Sequence, residues 1–188
     1  MDSEIIKFYK GEPNASGITI DDFWTFDRFE LERCHGYIQW VFPNVEPSMF
    51  NKKSQTLTEE DIKEFKTNQK LRQSILLSFD KFLVFLGLQV KFNGVREIPE
   101  VCCPESFTVK EISKGVNYDS AKSNWQTKRN HNYLRITRII NFLNIVDFKD
   151  VARAFYDFIM TLVAEVPEKF NETTLEYWDA AINEREMK

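Results

Sequence analysis

The chain is short of glycine, proline, cysteine and histidine. Its 188 residues include six glycines, six prolines, three cysteines and two histidines. So few glycines leave little material for the turns and strand corners of an all-β domain. Cys34 and the adjacent Cys102 and Cys103 are an odd set, so any disulfide framework would leave a thiol over, and reduced, intracellular thiols are expected. His35, His131, Cys102 and Cys103 lack the close pairs, about two to four residues apart, that structural zinc sites use. No metal and no cofactor is expected. The sequence also has no Gly-rich phosphate loop, no two-histidine zinc helix and no nucleophile elbow, so no residue is assigned a catalytic role.

Long apolar runs are missing too. The longest lies around Phe82 to Leu88, far short of the ~20 residues a bilayer span requires, so no transmembrane segment is expected. Met1-Asp2-Ser3-Glu4 is acidic with no apolar run, and a secretory signal is not expected. Neither charge sign dominates: 25 Lys and Arg against 29 Asp and Glu give a net charge of -4. That balance provides no global attraction to nucleic acid or to an anionic membrane. A soluble cytoplasmic or nuclear chain is the expectation.

What the chain does have is phenylalanine, 17 of them, which suits a core of rings between helices. A helical turn is expected around Ile5 to Tyr9. Asp21 reads as the N-cap of a long helix whose stripe is Trp24, Leu31, Cys34, Ile38 and Val41, with Pro43 stopping it. Thr58 and Asp61 have capping-box spacing, and the period of Ile62, Phe65, Ile75, Leu76, Phe79, Phe82, Leu83 and Leu86 runs to Gly87 with a break near Asn68. Residues 88–119 carry no steady period and hold Asn93-Gly94, Pro99, Pro104 and Gly115; they read as one long irregular loop with room for a short strand pair. A helix follows from Asn130 to about Asn144. Asp147 is expected to cap another, with Val151, Phe155, Phe158, Ile159 and Leu162 inward. Thr173 and Glu176 are spaced to open a last helix ending near Arg185. With no repeat or linker, the expectation is one all-α domain over 1–188, an orthogonal bundle of about six to eight helices.

Two polar-aromatic signatures stand out. The first runs Glu32-Arg33-Cys34-His35-Gly36-Tyr37-Ile38-Gln39-Trp40-Val41-Phe42-Pro43, and the second Asn130-His131-Asn132-Tyr133-Leu134-Arg135-Ile136-Thr137-Arg138-Ile139. On one continuous helix Glu32, His35 and Gln39 would share a face, as would His131, Arg135 and Arg138. Residues 21–32 hold Asp21, Asp22, Asp27, Glu30 and Glu32 against Arg28, and residues 120–146 hold Lys122, Lys128, Arg129, Arg135 and Arg138 with no carboxylate. The expectation is that the two segments pack through Glu32 and Arg135 or Arg138, supported by His35, Gln39 and Asn132. The same groups, walled by Tyr37, Trp40 and Tyr133, form the candidate ligand-binding set for a peptide or protein. Two alternatives differ in class. One is an enzyme with His35 or His131 as general base and Arg135 holding an anionic substrate. The other is a nucleic-acid module in which Lys122, Trp125, Lys128, Arg129 and Tyr133 interleave cations with rings.

Phe23 to about Leu143 resembles the conserved domain of the opioid growth factor (zeta opioid) receptor family. One hallmark resembles His35-Gly36-Tyr37-Ile38-Gln39-Trp40-Val41-Phe42-Pro43. The other, a His-Asn-Asn-Leu-Arg-Ile-Thr-Arg-Ile-Leu run, resembles His131 to Ile140. The chain departs from that pattern at Gly36, at Val41 and at Tyr133, where the family usually has asparagine. The resemblance implies a non-enzymatic, receptor-like binding module. For the animal members it implies binding of the pentapeptide Met-enkephalin, a nuclear or perinuclear location and restraint of proliferation. An enkephalin-type ligand would need a carboxylate for its ammonium, for which Glu32 is the candidate, and an apolar pocket, for which Trp40 and Phe42 are candidates.

Overall fold

A computed structural model of the chain describes residues 2–48, 51, 54–92 and 109–184. They fall into two compact units, 1–81 and 82–188, and each is described by itself.

The first unit opens with α1 (Glu4–Tyr9), where the Ser3 hydroxyl accepts the Ile6 N–H at 3.2 Å. This is the turn expected from Ile5 to Tyr9, and it buries Ile5, Ile6, Phe8 and Tyr9. The single long helix expected from Asp21 is instead three: α2 (Ile20–Thr25), α3 (Arg28–Arg33) and α4 (Tyr37–Val41). Two capping boxes explain the division. Thr19 and Asp22 form one and Asp27 and Glu30 the other, each exchanging side-chain-to-backbone hydrogen bonds that a continuous helix could not make. Between them Phe26 (φ -50°, ψ 133°) and Cys34 (φ -84°, ψ 95°) leave the helical region. Asp21 therefore caps nothing and lies exposed in the first turn of α2. Leu31, Ile38 and Val41 are buried as the stripe required, whereas Trp24 and Cys34 are half-buried.

Thr58 caps α5 (Glu59–Thr67) with Asp61 as its reciprocal partner, at 3.2 and 3.0 Å. Asn68 makes the expected break before α6 (Gln69–Phe85), its side chain accepting the Lys70 N–H at 3.1 Å. Leu71, Ile75 and Phe79 bury one face of α6 at four-residue steps. The Tyr9 hydroxyl donates to the Val41 carbonyl, and its ring meets Phe65 edge-on at 4.7 Å. Phe23, Phe65 and Phe79 are all fully buried, which contributes about 1.5–3 kcal/mol each.

In the second unit α6 ends at Gly87, which sits at φ 80° and bonds its N–H to the Val84 carbonyl at 3.0 Å. The stretch expected as one irregular loop holds an antiparallel pair, β1 (Leu88–Phe92) and β2 (Val109–Lys114), with Leu88 opposite Lys114 and Phe92 opposite Val109. The helix α7 (Tyr118–Ala121) closes that stretch. Asn93, Gly94, Pro99, Cys102, Cys103 and Pro104 lie outside the described residues. Three longer helices complete the unit: α8 (Asn132–Ile145), α9 (Lys149–Glu165) and α10 (Glu172–Ile182). α8 packs on α9 and α10, and α9 packs on β2.

Two caps expected here move. Asp147 does not cap α9; it turns the chain at φ 64°, in the left-handed region that aspartate tolerates, and α9 starts after Phe148. α10 opens at Asn171, whose side-chain oxygen accepts the Thr174 N–H at 2.8 Å, not at Thr173. Val151, Phe155, Ile159 and Leu162 are buried as expected, and Phe158 is half-buried. Among the described residues the fold is mostly helical, with ten α-helices rather than six to eight because the stretch from Ile20 to Val41 divides into three and α7 forms in the stretch expected as a loop. No helix among them is long and apolar enough to cross a membrane.

Candidate functional site

The first signature lies wholly in the first unit. With the helix broken at Cys34, Glu32 belongs to α3 and Gln39 to α4, and exposed His35 occupies the break, so the single face expected for them does not exist. His35 Nδ1 lies 2.9 Å from the Arg33 carbonyl. Gln39 Oε1 accepts from Asn51 Nδ2 at 2.7 Å. Tyr37 is buried with its ring 5.0 Å from that of Phe23, and half-buried Trp40 lies 5.7 Å from Phe8. Phe42, expected to help form a ligand pocket, has no exposed surface and belongs to the core.

The second signature lies in the second unit and is largely interior. Asn132 and Arg135 are buried together, with Arg135 Nη1 donating to Asn132 Oδ1 at 3.0 Å. The guanidinium also stands 5.9 Å from the Phe85 ring centroid. A charge placed this deep is held by hydrogen bonding and ring contact rather than by water. Exposed His131 sits at the helix start and Arg138 is half-buried, so the three cationic heads expected on one face differ widely in exposure. Burial lowers the Arg138 pKa below its ordinary value.

Tyr133 is the hub of a ring cluster, 5.5 Å from both Phe170 and Trp178. Its hydroxyl donates to the Thr127 carbonyl at 2.6 Å and accepts the Thr127 N–H at 3.1 Å. Burial pushes its pKa up to about 12, against a smaller lowering from the Thr127 bond. Trp125 is equally interior, 1% exposed and bonded through Nε1 to the Leu86 carbonyl at 3.0 Å. The two rings expected to interleave with cations on a nucleic-acid face are thus core residues, and neither offers a face for a base.

Each unit carries a cleft that the sequence did not indicate. In the first, a cleft of about 450 Å³ has Tyr9, Ile20, Trp24 and Leu71 as its apolar walls and Asp21 and Lys70 among its charged groups. Trp24 is fixed by an Nε1 bond to Ser78 Oγ at 3.0 Å. Lys10, also at this cleft, is tied to Asp2 at 2.8 Å, while no ion pair among the described residues engages Asp21 or Lys70. In the second unit a cleft of about 530 Å³ is lined by Lys114, Tyr118, Lys122, Gln126, Glu165 and Lys169 among others. None of Glu32, His35, Tyr37, Gln39, Trp40, His131, Asn132, Tyr133, Arg135 or Arg138 lines either cleft. Only Trp24 gave a prior sign, as a large ring on the apolar stripe; nothing in the spacing of Asp21 or Lys70 announces a cleft. Among the described residues no group of three or more His, Cys, Asp and Glu could hold a metal ion.

Comparison with known proteins gives a consistent picture. The family profile described as the opioid growth factor receptor (OGFr) conserved region matches residues 1–188. The chain is 27% identical over 198 residues to the opioid growth factor receptor of Homo sapiens, covering 100% of this chain and 26% of that protein. It is 29% identical over 193 residues to the opioid growth factor receptor-like protein 1 of Mus musculus, covering 96% of this chain and 37% of the relative. The corresponding protein of Xenopus tropicalis is 27% identical over 192 residues, at 97% and 34% coverage. The chain thus spans between about a quarter and two-fifths of these relatives' length. No solved structure matches.

Proposed function

The chain belongs to the opioid growth factor receptor conserved-region family, and from that premise we propose that it is a non-enzymatic, receptor-like module that binds a short peptide within the cell. The human relative is named opioid growth factor receptor and the mouse and frog relatives opioid growth factor receptor-like protein 1, and the expected ligand is a peptide of the enkephalin type. The observation that carries the reading is the chemistry of the first unit's cleft. Its volume of about 450 Å³ lies in the range of about 300–1,000 Å³ that small ligands occupy. Trp24, Ile20, Tyr9 and Leu71 supply apolar surface for a phenylalanine or methionine side chain. Asp21 supplies a carboxylate for an N-terminal ammonium, and Lys70 an ammonium for a C-terminal carboxylate. Neither has to be released from an internal ion pair first.

Asp21 and Lys70 replace Glu32 in this role, and Trp24 replaces Trp40 and Phe42. Titration calorimetry with Met-enkephalin tests the proposal. Saturable heat is expected with the wild-type chain, and Asp21→Asn is expected to weaken it by about tenfold through loss of one charge-assisted hydrogen bond. No heat at ~1 mM peptide, where binding energy has fallen to about 4 kcal/mol, overturns the peptide reading. Heat that Asp21→Asn leaves unchanged overturns the placement in this cleft.

A further inference from the structure

We propose that the second unit's cleft is a binding site for a phosphate group, free or carried on a small organic ester. Its volume of about 530 Å³ suits a ligand of that size. The site is organised around one ring. Lys114 Nζ stands 4.9 Å and Lys122 Nζ 5.5 Å from the centroid of Tyr118, so two ammonium groups are gathered at a single aromatic side chain. Tyr118 is itself held by Gln126, whose Nε2 donates to the phenolic oxygen at 2.8 Å in a buried bond. The ring that places the two cations is therefore anchored.

The cleft's third cation, Lys169, makes the charge unequal. Lys114 is bonded to Glu165 at 2.7 and 2.8 Å, and Lys122 to Asp119 at 2.5 Å. No ion pair among the described residues engages Lys169. Three lysines thus line the cleft with two carboxylates, an excess of one positive charge in a chain whose net charge is -4. The backbone at Lys169 is held in place: its carbonyl lies 3.2 Å from the Tyr133 hydroxyl oxygen, and Phe170 beside it packs on the Tyr133 ring.

The two internal ion pairs do not bar an anion. Both are on exposed side chains, Asp119 at 89% and Glu165 at 50%, and ion pairs exposed to water hold only weakly. A phosphate presents several acceptor oxygens and up to about two charges at neutral pH, and charge-assisted bonds to it are stronger than such pairs. Lys169 gives the first contact. Lys122 and Lys114 then turn from their carboxylates to the phosphate while remaining over Tyr118, and the Asp119 and Glu165 carboxylates move into water. No covalent step is involved, only exchange of one set of counterions for another.

Calorimetry on the full chain, with inorganic phosphate and glycerol 3-phosphate titrated separately, provides the test. Saturable binding is expected, and Lys169→Gln is expected to weaken it by about tenfold. Lys149→Gln, which removes another exposed lysine, paired with Glu184 elsewhere in the unit, is expected to leave it unchanged. Equal affinity for the two probes identifies the free anion as sufficient; tighter binding of the ester identifies an organic phosphate. Absence of saturable heat with both probes overturns the proposal. So does an equal loss in the Lys149→Gln control, which would reduce the effect to nonspecific charge. Circular dichroism of both variants verifies that each remains folded.

Discussion

Tyr133 joins three separate pieces of chain through one side chain: its own helix, the Thr127 backbone and the Lys169 carbonyl. The ring sits among Phe170 and Trp178, and the Trp178 indole returns a bond to the Tyr133 carbonyl at 3.1 Å. Tyr133→Phe keeps the ring and removes the hydroxyl, so the Thr127 carbonyl loses its donor while the Thr127 N–H keeps its bond to the Trp125 carbonyl at 2.9 Å. The expected loss is about 1–3 kcal/mol, read as a lower midpoint in urea denaturation. A second signature of the same residue appears in alkali. Its pKa in the folded chain is pushed up to about 12 from an ordinary 10.0, so the unfolded chain gives up this proton first. Stability from this group is complete below the unfolded value and is lost as pH rises through the folded one. The wild type is therefore expected to lose stability between those limits more steeply than Tyr133→Phe does. The sequence marked Tyr133 as a candidate wall of a binding surface; its position in the core depends on Phe170 and Trp178, which lie far along the chain and have no periodic relation to it.

At the level of the element, what the sequence made legible was local. Thr58 with Asp61, the break at Asn68 and the stop at Gly87 are each written in neighbours within a few residues, and the folded chain uses all three. The long helix from Asp21 failed for a local reason as well. Apolar spacing of three, four and seven survives a helix break if the segments keep facing the core, so periodicity alone could not separate one helix from three. Asp27 followed by Glu30 was the available sign. The clefts were not legible, because Tyr9, Trp24 and Leu71 meet only through tertiary packing.

Gly87 shows how strict one such local position is. Its φ is 80°, and a Cβ there would stand 2.6 Å from Ala121 Cβ and 2.7 Å from Tyr118 Cα. Its carbonyl also accepts the Gly115 N–H at 2.8 Å, which ties the end of α6 to the segment after β2. Gly87→Ala combines a disfavoured left-handed backbone with a clash against backbone atoms. A loss of about 2–5 kcal/mol is expected, seen as a clear fall in thermal midpoint. An unchanged midpoint would mean that this turn relaxes at no cost.

For the whole molecule, charge decides which partners are favoured at a distance. A net charge of -4 repels polyanions, and the two rings needed for base stacking, Trp125 and Tyr133, are 1% and 4% exposed. Filter binding with a single-stranded oligonucleotide is accordingly expected to show no retention at about 0.15 M salt. Retention that falls steeply with added salt would restore the nucleic-acid alternative. A local excess of one ammonium in a cleft is a different matter, because at that ionic strength fields are screened beyond about 8 Å and a small anion already within the cleft feels its lysines first.

The four tryptophans divide evenly between the two units, and that division has an optical consequence. Trp24 and Trp40 belong to the first unit and are partly open to solvent, whereas Trp125 and Trp178, at 1% and 0% exposed, belong to the second. A collisional quencher such as acrylamide will reach the first pair and spare the second. The quenchable fraction of the intrinsic fluorescence then follows one half of the protein, and the shielded, bluer emission follows the other, with no label attached to either.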